Sequence, residues 1–433
     1  MSRTGRTTVA AKVHRVAFIS TRFAGTDGVT LETRKWVTVL ERLGYECFLV
    51  AGELEEPTRR TRCIEEAAFT HPEVADIQRQ CFGHATRTRK LSKRIDESLV
   101  RIKDAIYRCQ DKLKPDLWIA ENCLTIPMHV PLGLALTEFL AETGLPCIAH
   151  HHDFHWERER FTCSAVSDYL HAAFPPKLPS VKHVVINSLA EDELSYRLGI
   201  SSTLIPNVMN FERRPPRPSR RARTFRRDIG VGEDDWLILQ PTRVVPRKQI
   251  EHAVELVKRL DDPRAQLVIT HSTGDEGDEY AKHVKNFARM LGVPVKFVHQ
   301  QMRPEWPESP ARGRKKFYEI ADAYACADLV TYPSGYEGFG NAFLEAIYYR
   351  RPIVCNRYSI YQTDIEPKGF QAVTMDGFVR DDTVRDARRA IEDAPYRREM
   401  VERNYRLGRQ FFSYSVLKAR LRALLTEFAG VHR

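Results

Sequence analysis

The sequence predicts an α/β protein of two doubly wound, Rossmann-like domains facing a central cleft. Three observations carry the prediction. The chain has 433 residues, more than one hydrophobic core normally holds. Each half alternates short apolar runs with stretches of helical periodicity, the pattern of a parallel sheet covered by helices. Between the halves, residues 213–227 hold eight Arg and three Pro, a composition suited to a surface connection.

In the first half, HRVAFIS (14–20) reads as a strand and TRFAGTDGVT as a loop. LETRKWVTVLERLG follows as a helix with apolar Leu31, Trp36, Val39, Leu40 and Leu43, stopped at Gly44. ECFLVAG (46–52) completes a βαβ unit. Residues 72–113 are polar and helical in pattern. DLWIAEN (116–122), PCIAHHHD (146–153) and HVVINS (183–188) continue the strands. In the second half the strands are WLILQPTR (236–243), QLVITHS (266–272), VKFVHQ (295–300), ADLVTYPS (327–334) and RPIVCNR (351–357). Helical stretches at 249–260, 278–291, 316–326 and 341–350 alternate with them, and residues 396–433 read as helix. The expected boundaries are an N-terminal domain at 1–207, a C-terminal domain at 208–405, and a helix at 406–433 that packs back on the first domain. Ligands bind such folds at the carboxyl ends of the strands.

Composition narrows the function. Charged residues are 29% and hydrophobic residues 42%, as in soluble globular chains. No fixed-period repeat is visible. Nine Cys without a CxxC pair, several inside apolar runs (Cys47, Cys147, Cys326, Cys355), point to a reducing compartment, so a cytoplasmic location is expected. The basic N-terminus is followed by too short an apolar run for a signal peptide. The best membrane-span candidate, 126–149, is interrupted by His129, Pro131, Glu138, Glu142 and Pro146. The net charge of +10 favours an anionic partner. The Arg-rich run reads first as a solvated loop, and alternatively as a peripheral contact with the inner membrane face or an acidic substrate. It has only Phe225 among its aromatics, so nucleic acid is not expected.

The chemistry concentrates in Tyr332-Pro-Ser-Gly-Tyr-Glu337-Gly338-Phe339-Gly340-Asn341-Ala-Phe-Leu-Glu345. A strand leads into a glycine loop and then a helix whose N-terminal N–H groups suit a phosphate. Glu337 and Glu345 beside an anion site make sense as acceptors for sugar hydroxyls. A second signal is Gln240-Pro-Thr-Arg243-Val-Val-Pro-Arg247-Lys248, where Arg243 and Lys248 on a post-strand loop suit a diphosphate, with Arg247 as a competing cation. A third is Ala149-His150-His151-His152-Asp153-Phe-His155. Neighbours on a strand face opposite sides, so three consecutive His do not converge on one ion, and no metal site is expected.

Glu337 and Glu345 with seven residues between them, and Gly-Phe-Gly inside, resemble the signature of retaining GT-B glycosyltransferases of the large group-1 family. The resemblance implies that Glu337 contacts donor hexose hydroxyls, Glu345 the ribose, and the turn Gly338-Phe339-Gly340-Asn341 the donor sugar and diphosphate. Arg243 and Lys248 match its cation pair, although Thr242 and Gln249 stand where the family usually has Gly. His152, with His151 as fallback, matches a His that touches the donor sugar. Thr26-Asp27-Gly28-Val29 matches a glycine loop under the diphosphate, placing Gly28 in the donor site. His152, Arg243, Lys248 and Glu337 are thus the expected catalytic group. The resemblance implies no carboxylate nucleophile, no cofactor beyond the co-substrate, and no essential divalent metal.

The donor base is not legible; GDP-mannose and UDP-glucose are both candidates. His-His-Asp-Phe-His-Trp-Glu-Arg-Glu-Arg and Pro-Asn-Val-Met-Asn-Phe resemble enzymes that mannosylate glucosyl-3-phosphoglycerate. That implies a small anionic acceptor, with Arg22, Asp153, Arg158 and Arg160 as contacts. A lipid-linked or polysaccharide acceptor, a sugar-nucleotide epimerase and a non-catalytic sugar-nucleotide binder are the alternatives.

Overall fold

The computed structural model describes residues 14–25, 27–55, 57–216, 222–273, 277–303 and 317–431. Thr26 of the glycine loop, 217–221 of the Arg-rich run and Lys316 lie outside them. The chain divides into two compact units. One contains residues up to Pro206 together with those from Ser415 on; the other is Asn207–Tyr414.

The N-terminal unit is built on seven strands: β1 (Arg15–Phe23), β2 (Glu46–Leu54), β3 (Thr61–Cys63), β4 (Leu117–Glu121), β5 (Cys147–His151), β6 (Val181–Val185) and β7 (Ser202–Leu204). They pair in the order β3-β2-β1-β4-β5-β6-β7, every neighbour parallel. The order reverses between β1 and β4, which opens a crevice beyond their carboxyl ends. The central strands read as uninterrupted apolar runs because helices cover both faces of a parallel sheet. Val16 to Ile19, Leu117 to Ile119 and Cys147 to Ala149 are all fully buried. Among the covering helices are Gly28–Arg42, capped by Asp27, Arg89–Leu113, capped by Thr88, and Val130–Thr143. The last of these, inside the former membrane-span candidate, is core-buried. No helix among the described residues is long and apolar enough to cross a membrane.

The C-terminal unit repeats the plan with β8 (Trp236–Gln240), β9 (Ala265–Ile269), β10 (Val295–Phe297), β11 (Leu329–Tyr332), β12 (Ile353–Asn356) and β13 (Val373–Met375). The order is β10-β9-β8-β11-β12-β13, again all parallel, with the reversal between β8 and β11. The doubly wound reading of both halves therefore holds. Strands β3, β7 and β13 were absent from the sequence reading: each is a three-residue edge strand, too short to carry an apolar run. The C-terminal helical stretch is two helices, Ala394–Phe411 and Tyr414–Val431, broken at Phe412-Ser413 without a Gly or Pro to announce it. Part of the Arg-rich run is structural. Ala222–Asp228 is a helix with Phe225 fully buried, and Arg226 bonds the carbonyls of Asp235 and Cys326 and the carboxylate of Asp328.

Candidate active site

In the C-terminal unit the sequence-predicted residues gather where the strand order reverses, beyond β8 and β11. The chain leaves β8 through Gln240-Pro-Thr242-Arg243. The Gln240 amide donates to Thr242 Oγ1 at 2.7 Å and its carbonyl accepts from Thr331 Oγ1 at 2.7 Å, which ties this loop to β11. Thr242, in place of the family's glycine, therefore has its own anchoring role. Gln249 occupies a left-handed conformation, φ +46 and ψ 50, which explains the family's preference for glycine there. Its side chain lies where a Cβ on Gly335 would stand, 2.9 Å from Gln249 Cδ, so a glycine across the gap makes room for it.

Lys248 and Glu337 are 7% and 8% exposed and form an ion pair. Arg247 reaches the other carboxylate oxygen at 3.1 Å and bonds the Tyr336 carbonyl at 3.4 Å. The Tyr332 ring lies 5.3 Å from Lys248 Nζ. Burial alone would raise the Glu337 carboxyl, but Lys248 and Arg247 outweigh it and hold it at about 2. Burial pushes the Lys248 ammonium down, with Glu337 opposing. The Arg243 guanidinium has no hydrogen-bond or ion-pair partner among the described residues, while its charge is felt by Lys248 and by half-buried His271. Burial is also the main cause that lowers His271, to about 4, so it stands as a neutral imidazole. Three cations against one carboxylate leave two positive charges here, a match for a diphosphate.

The Gly338–Asn341 turn delivers the chain to the helix Asn341–Tyr348. Gly340 has φ +133, and a Cβ there would meet Tyr358 Oη at 2.4 Å; that hydroxyl donates to the Phe339 carbonyl at 2.8 Å. Only glycine fits both conditions. The Asn341 carboxamide accepts from Asn207 at 2.9 Å. Glu345, half-buried in the second turn, accepts from the Tyr324 hydroxyl at 2.9 Å, and Tyr349 stacks on Tyr324 at 4.8 Å.

In the N-terminal unit, Gly28 is exposed and opens its helix, while Asp27 caps Val29 and Thr30 and pairs with Arg22 at 3.6 Å. Arg22 also lies over Phe69. Of the acceptor candidates, Asp153 and Arg158 pair with each other, and Arg160 approaches Met128 Sδ at 2.7 Å and the Phe161 ring.

The three His separate cleanly. His151 is held between Thr125 at 2.6 Å and His183 at 2.9 Å, and burial keeps it neutral. His150 is fully buried beneath Trp36, with ring centroids 4.2 Å apart. His152 is 9% exposed. His152, one residue past the end of β5, returns to the face of His150, and both reach Glu121 Oε2, at 3.3 and 2.9 Å. The ligand atoms of Glu121, His150 and His152 lie within 4.8 Å of one another, spacing that a cation would accept. His150 Nε2, however, lacks the outer partner that a metal-bound imidazole uses. The arrangement fits a charge cluster rather than a metal centre. Asn122, in a left-handed conformation after β4, holds the turn by bonding His152 N and Asp153 Oδ1, each at 3.1 Å. Glu121, Asn122, Tyr324 and His271 had escaped the sequence reading; only the Glu-Asn pair closing an apolar strand carried a visible signal.

A family model described as "Glycosyl transferases group 1" matches residues 222–407. The chain is 30% identical to mannosylglucosylglycerate synthase of Thermotoga maritima, over 93% of this chain and 98% of that protein. It is 29% identical to the protein of that name from Petrotoga mobilis, over 83% and 86%. Among solved structures, sucrose-phosphate synthase from Thermosynechococcus elongatus superposes with a TM-score of 0.66 at 15% identity, covering 96% of this chain and all of that one. Anabaena HepE in complex with UDP and glucose gives 0.64 at 12%, with 96% and 100% covered. These structures share the GT-B fold. The chain belongs to the group 1 glycosyl transferases, enzymes that move a sugar from a nucleotide-diphosphate donor to an acceptor.

Proposed function

We propose that this enzyme transfers mannose, with retention of anomeric configuration, from GDP-mannose to a hydroxyl of a small anionic glucoside of the glucosylglycerate or glucosyl-phosphoglycerate kind. UDP-glucose is the competing donor. The observation that carries the donor side is the buried Lys248–Glu337 pair, with Arg247 and Arg243 beside it, at the strand reversal. The product named by two relatives aligned over most of this chain supports mannose and the glucoside acceptor.

In this reading Arg243 and Lys248 take the charge that grows on the leaving diphosphate, helped by the N–H groups that open the helix at Asn341. Glu337 accepts from hexose hydroxyls, Glu345 from the ribose, and the Gly338–Asn341 backbone lies against the sugar and diphosphate. The acceptor attacks from the face that the diphosphate leaves, and a diphosphate oxygen takes its proton; no protein carboxylate forms a covalent intermediate. Gly28 at its helix N-terminus supplies backbone to the diphosphate. His151 and His150 are committed to core partners, which leaves His152 to touch the sugar. Arg22 and Arg160, and Arg158 through its pair with Asp153, are the acceptor contacts. Peripheral membrane contact through 213–227 would be a secondary property.

A donor panel tests the proposal: thermal shift and hydrolysis with GDP-mannose, UDP-glucose and other sugar nucleotides, then glucosylglycerate and its phosphate as acceptors. The expected result is an α-mannoside formed from GDP-mannose. Turnover confined to a UDP-sugar, or to a lipid acceptor in vesicles, would replace the proposal.

A further inference from the structure

Glu121 is a fully buried ionisable group that the transfer scheme leaves without a task. It ends β4 beside His150 in the sheet register, and His152 returns to the same face. Its Oε2 accepts from both imidazoles, and its Oε1 has no partner among the described residues. A buried carboxylate without a counter-charge is strongly unfavourable, so one imidazole must carry a proton.

Geometry decides which. His150 is shut beneath Trp36, and its second nitrogen, Nε2, is buried with no partner; protonation would bury an unsatisfied N–H. His152 keeps 9% exposure, and its Nδ1 has no bonded partner among the described residues. Glu32 and Asp153 also raise the His152 ring, each by less than Glu121, and each has a cationic partner of its own. Glu32, from the helix Gly28–Arg42, is paired with Lys35, and Asp153 with Arg158. His151 and His183 form a neutral pair. Glu121 is therefore the anion that His152 answers.

We propose that Glu121 is a positioning residue for sugar transfer: by binding Nε2–H it keeps His152 cationic and directs the remaining N–H, at Nδ1, toward substrate at the carboxyl end of β5. The inference rests on the transfer reading above. The direction of the His152 shift agrees with the geometry. Burial would lower His152, but Glu121 outweighs it and raises the ring above its ordinary value. A cationic donor at this point favours negative charge that develops on the substrate's oxygens.

The test follows His152 in the full chain by NMR with histidine-selective labelling, its signal assigned by its loss in His152→Asn. In the wild type, His152 is expected to titrate above about 6.5, and a midpoint below that overturns the proposal without any variant. Glu121→Gln, checked for folding by circular dichroism, is expected to lower the midpoint by about one to three pH units. The alkaline limb of kcat should move with it, while the donor KM changes less than about twofold. An unmoved midpoint or an unmoved limb sinks the proposal. If His152 titrates as expected but no sugar nucleotide is consumed, the transfer reading fails instead, and the positioning role falls with it.

Discussion

The Lys248–Glu337 pair should respond asymmetrically to its two single deletions. In Glu337→Gln the Lys248 ammonium, 7% exposed, loses its carboxylate and keeps Arg247 as a like-charged neighbour. Breaking a buried pair in this way costs about 3–5 kcal/mol. The Tyr332 face, 5.3 Å from Nζ, is already in place in the wild type and does not offset this loss. In Lys248→Met the carboxylate keeps Arg247 at 3.1 Å. The loss is then closer to that of one charge-assisted hydrogen bond, about 1.5–3 kcal/mol. The double variant should cost less than the sum of the singles, because each removes the same interaction. Urea unfolding of the four proteins, read as midpoints at constant slope, gives the cycle. Turnover of the selected donor should fall by about 100-fold or more in each single variant. Additive losses, or a larger loss in Lys248→Met than in Glu337→Gln, would refute the reasoning; near-wild-type turnover in either would refute the donor-site assignment.

Gly340→Ala combines a positive φ with a Cβ driven onto Tyr358 Oη, so a loss of about 1–3 kcal/mol in thermal unfolding is expected. Tyr358→Phe in that background should recover only part, since the backbone strain remains. Tyr324→Phe removes the hydrogen bond to Glu345, and the donor KM should rise about fivefold to tenfold with kcat little changed; an unchanged KM would count against Glu345 as the ribose ligand. Acid should destabilise the fold in two windows. His129, His183 and His271 are held near 4 by burial, below an unfolded value of about 6.5, so they stabilise the fold above pH 6.5 and lose that contribution as pH falls toward 4. Glu121 and Glu337, held at about 2, contribute fully above about 4.5 and lose it toward 2. A urea midpoint that stays flat from pH 6.5 to about 4 would contradict the first window. Chelator should leave transfer intact, because Arg243, Arg247 and Lys248 supply the positive charge; loss that magnesium restores would contradict this.

The fold was legible because each central strand is an apolar run closed by a turn, and parallel sheets buried on both faces write themselves that way. The edge strands were not: Thr61–Cys63 and Ser202–Leu204 have no buried face to advertise. The donor loop was legible through Gly340 and Glu337, whose spacing is local in the chain. The cluster of Glu121 with His150 and His152 was not, since its partners come from adjacent parallel strands about thirty residues apart. Tyr324 was hidden for the same reason: it meets Glu345 across two elements, and nothing near position 324 marks it. Gln249 shows the reverse case. A departure from a glycine position looked like weakened resemblance, and the structure accounts for it by a left-handed backbone and the space at Gly335.

The helix Tyr414–Val431 has a consequence for how the molecule is made. From Ser415 on it belongs to the N-terminal unit, where Leu417, Leu421 and Leu424 are buried and Glu427 meets Lys182 at 3.3 Å. Synthesis proceeds from the N-terminus, and domains ordinarily close in that order. Here the first unit to emerge from the ribosome waits with an apolar face uncovered while the whole second unit, 207–414, is translated and folded. The second unit is a continuous insertion that can be produced as one segment. The first can be produced whole only by joining its two pieces, for example by circular permutation that places the final helix ahead of β1.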